Sequence, residues 1–152
     1  MLINLLLGCL TVFISMGIQV TVVVFMLRYL IRIMNQKDRS TVGFGFDTYA
    51  ISIILLMLFA GHLVQIAIWA VLFMLIGEFS DFLTAFYHST VNFASLGYGD
   101  IVMSEKWRLL GALEASNGVL MFGLSAGTIL SVMTNLFARH KPLGVNQQNK
   151  AG

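Results

Sequence analysis

The stretch Asp81-Phe82-Leu83-Thr84-Ala85-Phe86-Tyr87-His88-Ser89-Thr90-Val91-Asn92-Phe93-Ala94-Ser95-Leu96-Gly97-Tyr98-Gly99-Asp100 decides how the chain is read. It lies between Glu78 and Arg108, in a segment too polar to cross a membrane and too apolar for an ordinary loop. Its first part has a helical pattern, with Ser80 as the expected N-cap and Asp81 favouring the positive helix end. A helix over residues 81–94 measures about 20 Å, too short for a hydrocarbon layer of roughly 30 Å. The pattern therefore predicts a re-entrant half-helix. Irregular backbone at membrane depth survives only when buried in protein or lining a watery cavity. Gly97 and Gly99 alternate in the stretch that follows and permit conformations that a Cβ resists. Such a strand can turn successive carbonyls to one side, where they replace the hydration shell of a cation. The negative C-terminal end of the half-helix favours a cation at the same place.

On either side lie apolar runs. Leu2–Leu27 has no charged residue, Tyr49–Gly77 has only His62 as a polar ionisable group, and Leu109–Ala138 has only Glu114. At 1.5 Å per residue each run reaches about 39 Å or more, enough to span. Of the 152 residues, 58% are hydrophobic and 11% charged, against roughly 45–50% and about 25% in soluble domains. This excludes a disordered tail and a water-soluble monomer, and the lone Cys9 excludes an intrachain disulfide framework. The net charge of +2 does not indicate a nucleic-acid partner, because the basic residues flank the apolar runs, where they orient a chain in lipid. The first run is too long for a signal peptide and lacks a basic start. Arg28, Arg32, Lys37 and Arg39 follow it, which predicts an N-terminus outside and a cytoplasmic C-terminus, with seven basic residues inside and two outside. Arg28 and Arg32 are expected to snorkel to the interface. No helix carries a basic residue at every third position, so a voltage sensor is not expected.

Ser95-Leu96-Gly97-Tyr98-Gly99-Asp100 closely resembles the selectivity-filter signature of potassium channels, and the order of helices resembles the bacterial two-helix potassium channel domain over roughly residues 49–137. The resemblance implies an all-α membrane protein with three transmembrane helices, a re-entrant pore helix and a filter loop per subunit, assembled as a homotetramer in lipid. The domains expected are an N-terminal transmembrane helix (1–34), a cytoplasmic linker (35–48), a pore domain (49–138) and a cytoplasmic tail (139–152). Within the pore domain, the outer helix is expected at 49–77, the pore helix at 81–94, the filter at 95–100 and the inner helix at 108–138. The resemblance further implies K+ sites at the carbonyls of Ser95, Leu96, Gly97 and Tyr98 with the Ser95 hydroxyl, Gly99 completing the filter, and Asp100 at the outer mouth. It also implies a bacterial inner membrane, K+ as permeant ligand, and no cofactor.

The chain departs from the family pattern at several places. Ser95 stands for the usual Thr, Ala94 for another Thr, Tyr87-His88 for a Trp pair, and Val91 for a Glu found in some members. The hydrogen-bond cuff must therefore differ: Tyr87 or His88 is expected to partner Asp100, or His88 is satisfied by a nearby carbonyl. Glu114 is read as a filter buttress and Gly118 as an inner-helix hinge or a packing glycine. Gly123 and Gly127 form a GxxxG pattern for helix packing, and Asn117 faces a cavity or a neighbouring helix. Glu78 and Asp81 are read as solvated mouth charges. His62, with Gln65 and Trp69, is read as an interhelical hydrogen-bonding group. The alternatives to potassium conduction are a weakly selective monovalent cation channel, a non-conducting membrane scaffold, and a haem protein using His62. No catalytic triad, metal-spaced cluster or phosphate loop suggests an enzyme.

Overall fold

The structure, a computed structural model, describes residues 2–36 and 44–139. Among them four helices follow one another: α1 (Leu2–Gln36), α2 (Phe44–Leu75), α3 (Phe82–Phe93) and α4 (Arg108–Arg139). The three long helices have 35, 32 and 32 residues, about 48–52 Å each, and all are apolar enough to cross a membrane. The protein is an integral membrane protein.

The boundaries differ from the sequence expectation at several ends: α1 runs to Gln36 into the expected linker, α2 ends at Leu75 rather than 77, and α3 spans 82–93 rather than 81–94. α2 begins at Phe44, not Tyr49, so residues 44–48 of the expected linker are helical. Asp47 in the first turn complements the positive helix end and supports this earlier start. Residues 37–43 of the linker and 140–152 of the tail lie outside the described residues.

Hydrophobic burial divides the bundle into two apolar cores. At one end Met26 and Leu30 of α1 meet Ala50, Ile54 and Leu58 of α2 and Val132 and Leu136 of α4. At the other, Ile66, Trp69 and Phe73 of α2 surround Phe93 at the foot of α3, with Leu110 and Met121 of α4 and Trp107 just before it. α1 lies against both α2 and α4, and its N-terminal end is pinned where Asn4 Nδ2 donates to the Lys106 carbonyl at 2.6 Å. Its inward face reads Asn4, Gly8, Thr11, Ser15, Gln19, Met26 and Leu30, while Leu6, Phe13, Phe25 and Ile31 point outward. Small and polar residues inside and large apolar ones outside suit a helix whose solvent is lipid.

α3 is held in the angle between α2 and α4. α4 approaches it closely at two glycines. A Cβ on Gly118 would lie 1.9 Å from the Phe93 carbonyl oxygen, and one on Gly111 would lie 2.9 Å from Asn92 Nδ2. The first obstacle is backbone and cannot rotate away. α4 runs unbroken through Gly118, so close approach accounts for this glycine in the structure. Gly123 and Gly127, by contrast, meet nothing within 4 Å among the described residues and border a hollow shared with Val23 and Leu27 of α1.

Gly118→Ala is expected to lower stability by about 1–3 kcal/mol through overpacking. Gly17→Ala, facing open space on α1, should be neutral or gain up to about 1 kcal/mol of helix propensity. Thermal unfolding of the detergent-solubilised variants distinguishes the two; equal midpoints would refute the close contact.

Candidate functional site

The site is built on α3 and the residues that follow it. Asp81, not Ser80, caps the helix: its backbone is extended and its Oδ1 accepts from the Thr84 N–H at 2.9 Å. Both residue types cap well, and this geometry selects the second. The donors of Thr84 and Leu83 hold the Asp81 carboxyl below the usual carboxylate range, so it is a cap and not merely a solvated charge.

The other end of α3 is closed by a six-residue hydrogen-bonded wrap. Leu96 N–H donates to the Val91 carbonyl at 2.9 Å and Ser95 N–H to the Asn92 carbonyl at 2.8 Å, with Ser95 in the left-handed region at φ 56°. This is the Schellman pattern, in which glycine ordinarily occupies the left-handed position. Ser95 stands there at a cost of about 1–2 kcal/mol. Gly97 and Gly99 repeat the positive φ at 62° and 75°, while Leu96 and Tyr98 between them do not. The sign of φ thus alternates over Ser95–Gly99. A Cβ on either glycine would meet nothing within 4 Å, so conformation and not crowding requires glycine there. Residues 95–100 are all exposed in the single chain.

Three ties fix this strand from behind. The Tyr87 hydroxyl donates to Asp100 Oδ2 at 2.6 Å. That bond lowers the Asp100 carboxyl below its ordinary value and raises the Tyr87 phenol above its own. His88 is the second tie: its Nδ1 lies 3.2 Å from the Ile101 carbonyl and its Nε2 2.9 Å from Asn92 Nδ2. A carbonyl can only accept, so the ring proton sits on Nδ1, and Nε2 accepts from Asn92. Of the two partners considered for Asp100, Tyr87 makes the bond, and His88 is satisfied by a carbonyl. Burial pushes His88 below the usual imidazole value, opposed by the Ile101 carbonyl and the Glu78 and Asp100 carboxylates. In the third tie, Glu78 accepts from both the N–H and the hydroxyl of Ser104, so this mouth charge also joins the two ends of the segment.

Deeper in the protein, Glu114 is fully buried on α4 and faces Ser89 and Asn92 of α3, with neither carboxylate oxygen in a formed hydrogen bond. Asn117, one turn further, is also fully buried. Gly118 sits at the foot of α3 against Phe93, away from the strand. A hollow of about 490 Å³ remains beside the strand, bordered by His88, Asn92, Gly97, Gly99, Met103 and Arg108. Sequence reasoning missed Asn92 and Ser104. Asn92 carried a signal, being four residues after His88 on one helix face; Ser104 carried none.

The arrangement offers an exposed, uncharged stretch of backbone at the C-terminal end of a short helix. A family model described as Ion channel matches residues 52–135, from α2 through α4. The chain has no significant match among curated proteins or solved structures.

Tyr87→Phe removes the donor, and Asp100 is then expected to titrate closer to the ordinary value of about 3.9, followed by infrared spectroscopy of its carboxylate. An unchanged Asp100 would refute the bond. Because the folded His88 value is lowered, its contribution to stability is present above about pH 6.5 and lost as pH falls below it. His88→Gln should flatten this limb of the stability profile, read as unfolding midpoint against pH.

Proposed function

The chain belongs to the ion channel family, a channel and not an enzyme, and we propose that four copies assemble around one axis to conduct K+ passively. The observation that carries this reading is the alternation of positive φ at Ser95, Gly97 and Gly99, within Ser-Leu-Gly-Tyr-Gly-Asp, at the C-terminal end of α3. One strand offers carbonyls from one side only, and a cation needs them on all sides, so a cyclic tetramer completes the site. The carbonyls of Ser95, Leu96, Gly97 and Tyr98, with the Ser95 hydroxyl, replace water around dehydrated K+. Gly99 supplies the last turn of the strand. Repulsion between ions in successive sites offsets tight binding, so they leave as readily as they enter.

Asp100 stands at the outer mouth, where its carboxylate attracts cations while Tyr87 holds it. His88 and Glu114 act from behind, the first on the Ile101 carbonyl and the second against α3. The exposure of residues 95–100 and the open face at Gly123 and Gly127 are consistent with neighbouring subunits covering both. The Lys and Arg distribution supports an outside N-terminus and a cytoplasmic C-terminus, and the resemblance supports a bacterial inner membrane.

Purified protein in planar bilayers, with K+ on one side and Na+ on the other, is expected to reverse far from zero, toward the K+ equilibrium potential. Reversal near zero would replace the potassium reading by a weakly selective channel, and no current at all would favour a scaffold. Gly97→Ala places a Cβ at φ 62°, a penalty of about 1–2 kcal/mol in each of four subunits. It should abolish selective current; unchanged selectivity would remove Gly97 from the filter.

A further inference from the structure

Between the two apolar cores lies a layer of polar side chains that the site described above does not use. Gln65 Nε2 of α2 donates to Gln19 Oε1 of α1 at 2.7 Å. Gln19 Nε2 in turn donates to the Ser125 hydroxyl of α4 at 2.9 Å. Ser125 Oγ lies 3.1 Å from His62 Nε2, back on α2. The Ser125 hydroxyl has two acceptor sites and one proton, so it accepts from Gln19 and bonds the His62 ring as well. The bonds link α2 to α1, α1 to α4, and α4 back to α2 within one helical turn. Gln19 and Gln65 are fully buried, and His62 and Ser125 are each 6% exposed.

The ring of His62 extends this loop towards the site. Its centroid is 5.9 Å from that of Phe93, the last residue of α3, and 4.9 Å from that of Phe122 on α4, the latter edge-on. Phe93 is also the residue whose carbonyl Gly118 touches. The four side chains therefore join α1 to the two moving parts a pore could have, the inner helix and the foot of the pore helix. Nearby, a Cβ on Gly61 of α2 would lie 3.2 Å from Val22 of α1, so the two helices are already close beside Gln19 and have little room to re-form the contact elsewhere.

We propose that Gln19 is a positioning residue for conduction, through which α1 holds the inner helix in place at Ser125. The inference rests on the channel reading. Apolar side chains slide past one another in lipid with little preference for register, because the tails are as apolar as the helices. A hydrogen bond has a fixed length and direction, and in lipid its loss leaves a donor or acceptor with no water to turn to. Rotation or tilt of α4 at Ser125 must break the bond from Gln19, the bond to His62, or both. α1 thereby biases the equilibrium between inner-helix positions without contacting the ion path. Gln19→Leu removes both polar groups of this side chain together.

The test uses the full chain reconstituted in planar bilayers, comparing Gln19→Leu, Ser125→Ala, their double variant and Ser125→Thr with the unmodified protein. Each single change is expected to shift the ratio of open to closed time by about threefold or more, in the same direction. The double variant should shift by less than the product of the two single effects, because both remove the shared Gln19–Ser125 bond. Ser125→Thr keeps the hydroxyl and should return the ratio to the unmodified value. Unitary conductance and the K+/Na+ reversal potential should stay constant throughout, which a general loosening of the fold would not allow. Gln65→Leu, one bond further back, probes the same path should Gln19→Leu fail to assemble, with a shift of the same sign expected. Unchanged ratios, or single effects that multiply in the double variant, overturn the proposal. Absence of current from the unmodified protein defeats the channel reading and this inference with it, whereas current with uncoupled variants defeats this inference alone.

Discussion

The contact between Gly118 and the Phe93 carbonyl is the constraint from which the rest of the arrangement follows. A 12-residue helix cannot hold itself in a bilayer, because it is too short to reach both interfaces and its ends carry unpaired backbone groups. It must be gripped by longer helices. With no side chain on Gly118, α4 comes close enough to seat the foot of α3 directly on its backbone. Ala85, His88, Ser89 and Val91 are then buried along the same helix, and the strand leaves it from a fixed point. The position of Ser95–Asp100 follows from this seat together with the Tyr87–Asp100 bond, His88 on Ile101 and the Glu78–Ser104 tie.

The bundle divides its work between apolar and polar contacts in a way suited to lipid. Two apolar cores supply close packing, one around Leu58 and Leu136 and the other around Trp69 and Phe93. Packing in lipid gains little from apolarity itself, so orientation falls to directional contacts. These are the Asn4–Lys106 bond at one end of α1 and the Gln65–Gln19–Ser125–His62 loop further along it. An isolated helix as apolar as α1 would otherwise have no preferred azimuth.

Much of this was legible in the chain because membrane spans are read from composition alone, and Leu2–Leu27, Tyr49–Gly77 and Leu109–Ala138 leave little choice. The half-helix was legible from its polarity and length. Finer features were not. Ser80 and Asp81 are equally good caps by type, and only backbone direction separates them. The left-handed wrap at Ser95 carried no glycine to announce it. A mid-helix glycine such as Gly118 has the same spelling whether it bends or lets a neighbour approach, and distance alone tells which. The inward face of α1 was in principle readable from Asn4, Gly8, Thr11, Ser15 and Gln19 at spacings of three and four. Its partners were not, since Gln19 and Ser125 are 106 positions apart.

The bond between Glu78 and Ser104 gives the pore segment a property of its own. The two residues are 26 positions apart and enclose α3 and the strand. A loop whose ends are already held has lost its closure entropy, whatever the chain does beyond them. The segment is therefore held at its margins by this tie and near its middle by the seat of Phe93 on Gly118, so its ends and its foot are fixed independently.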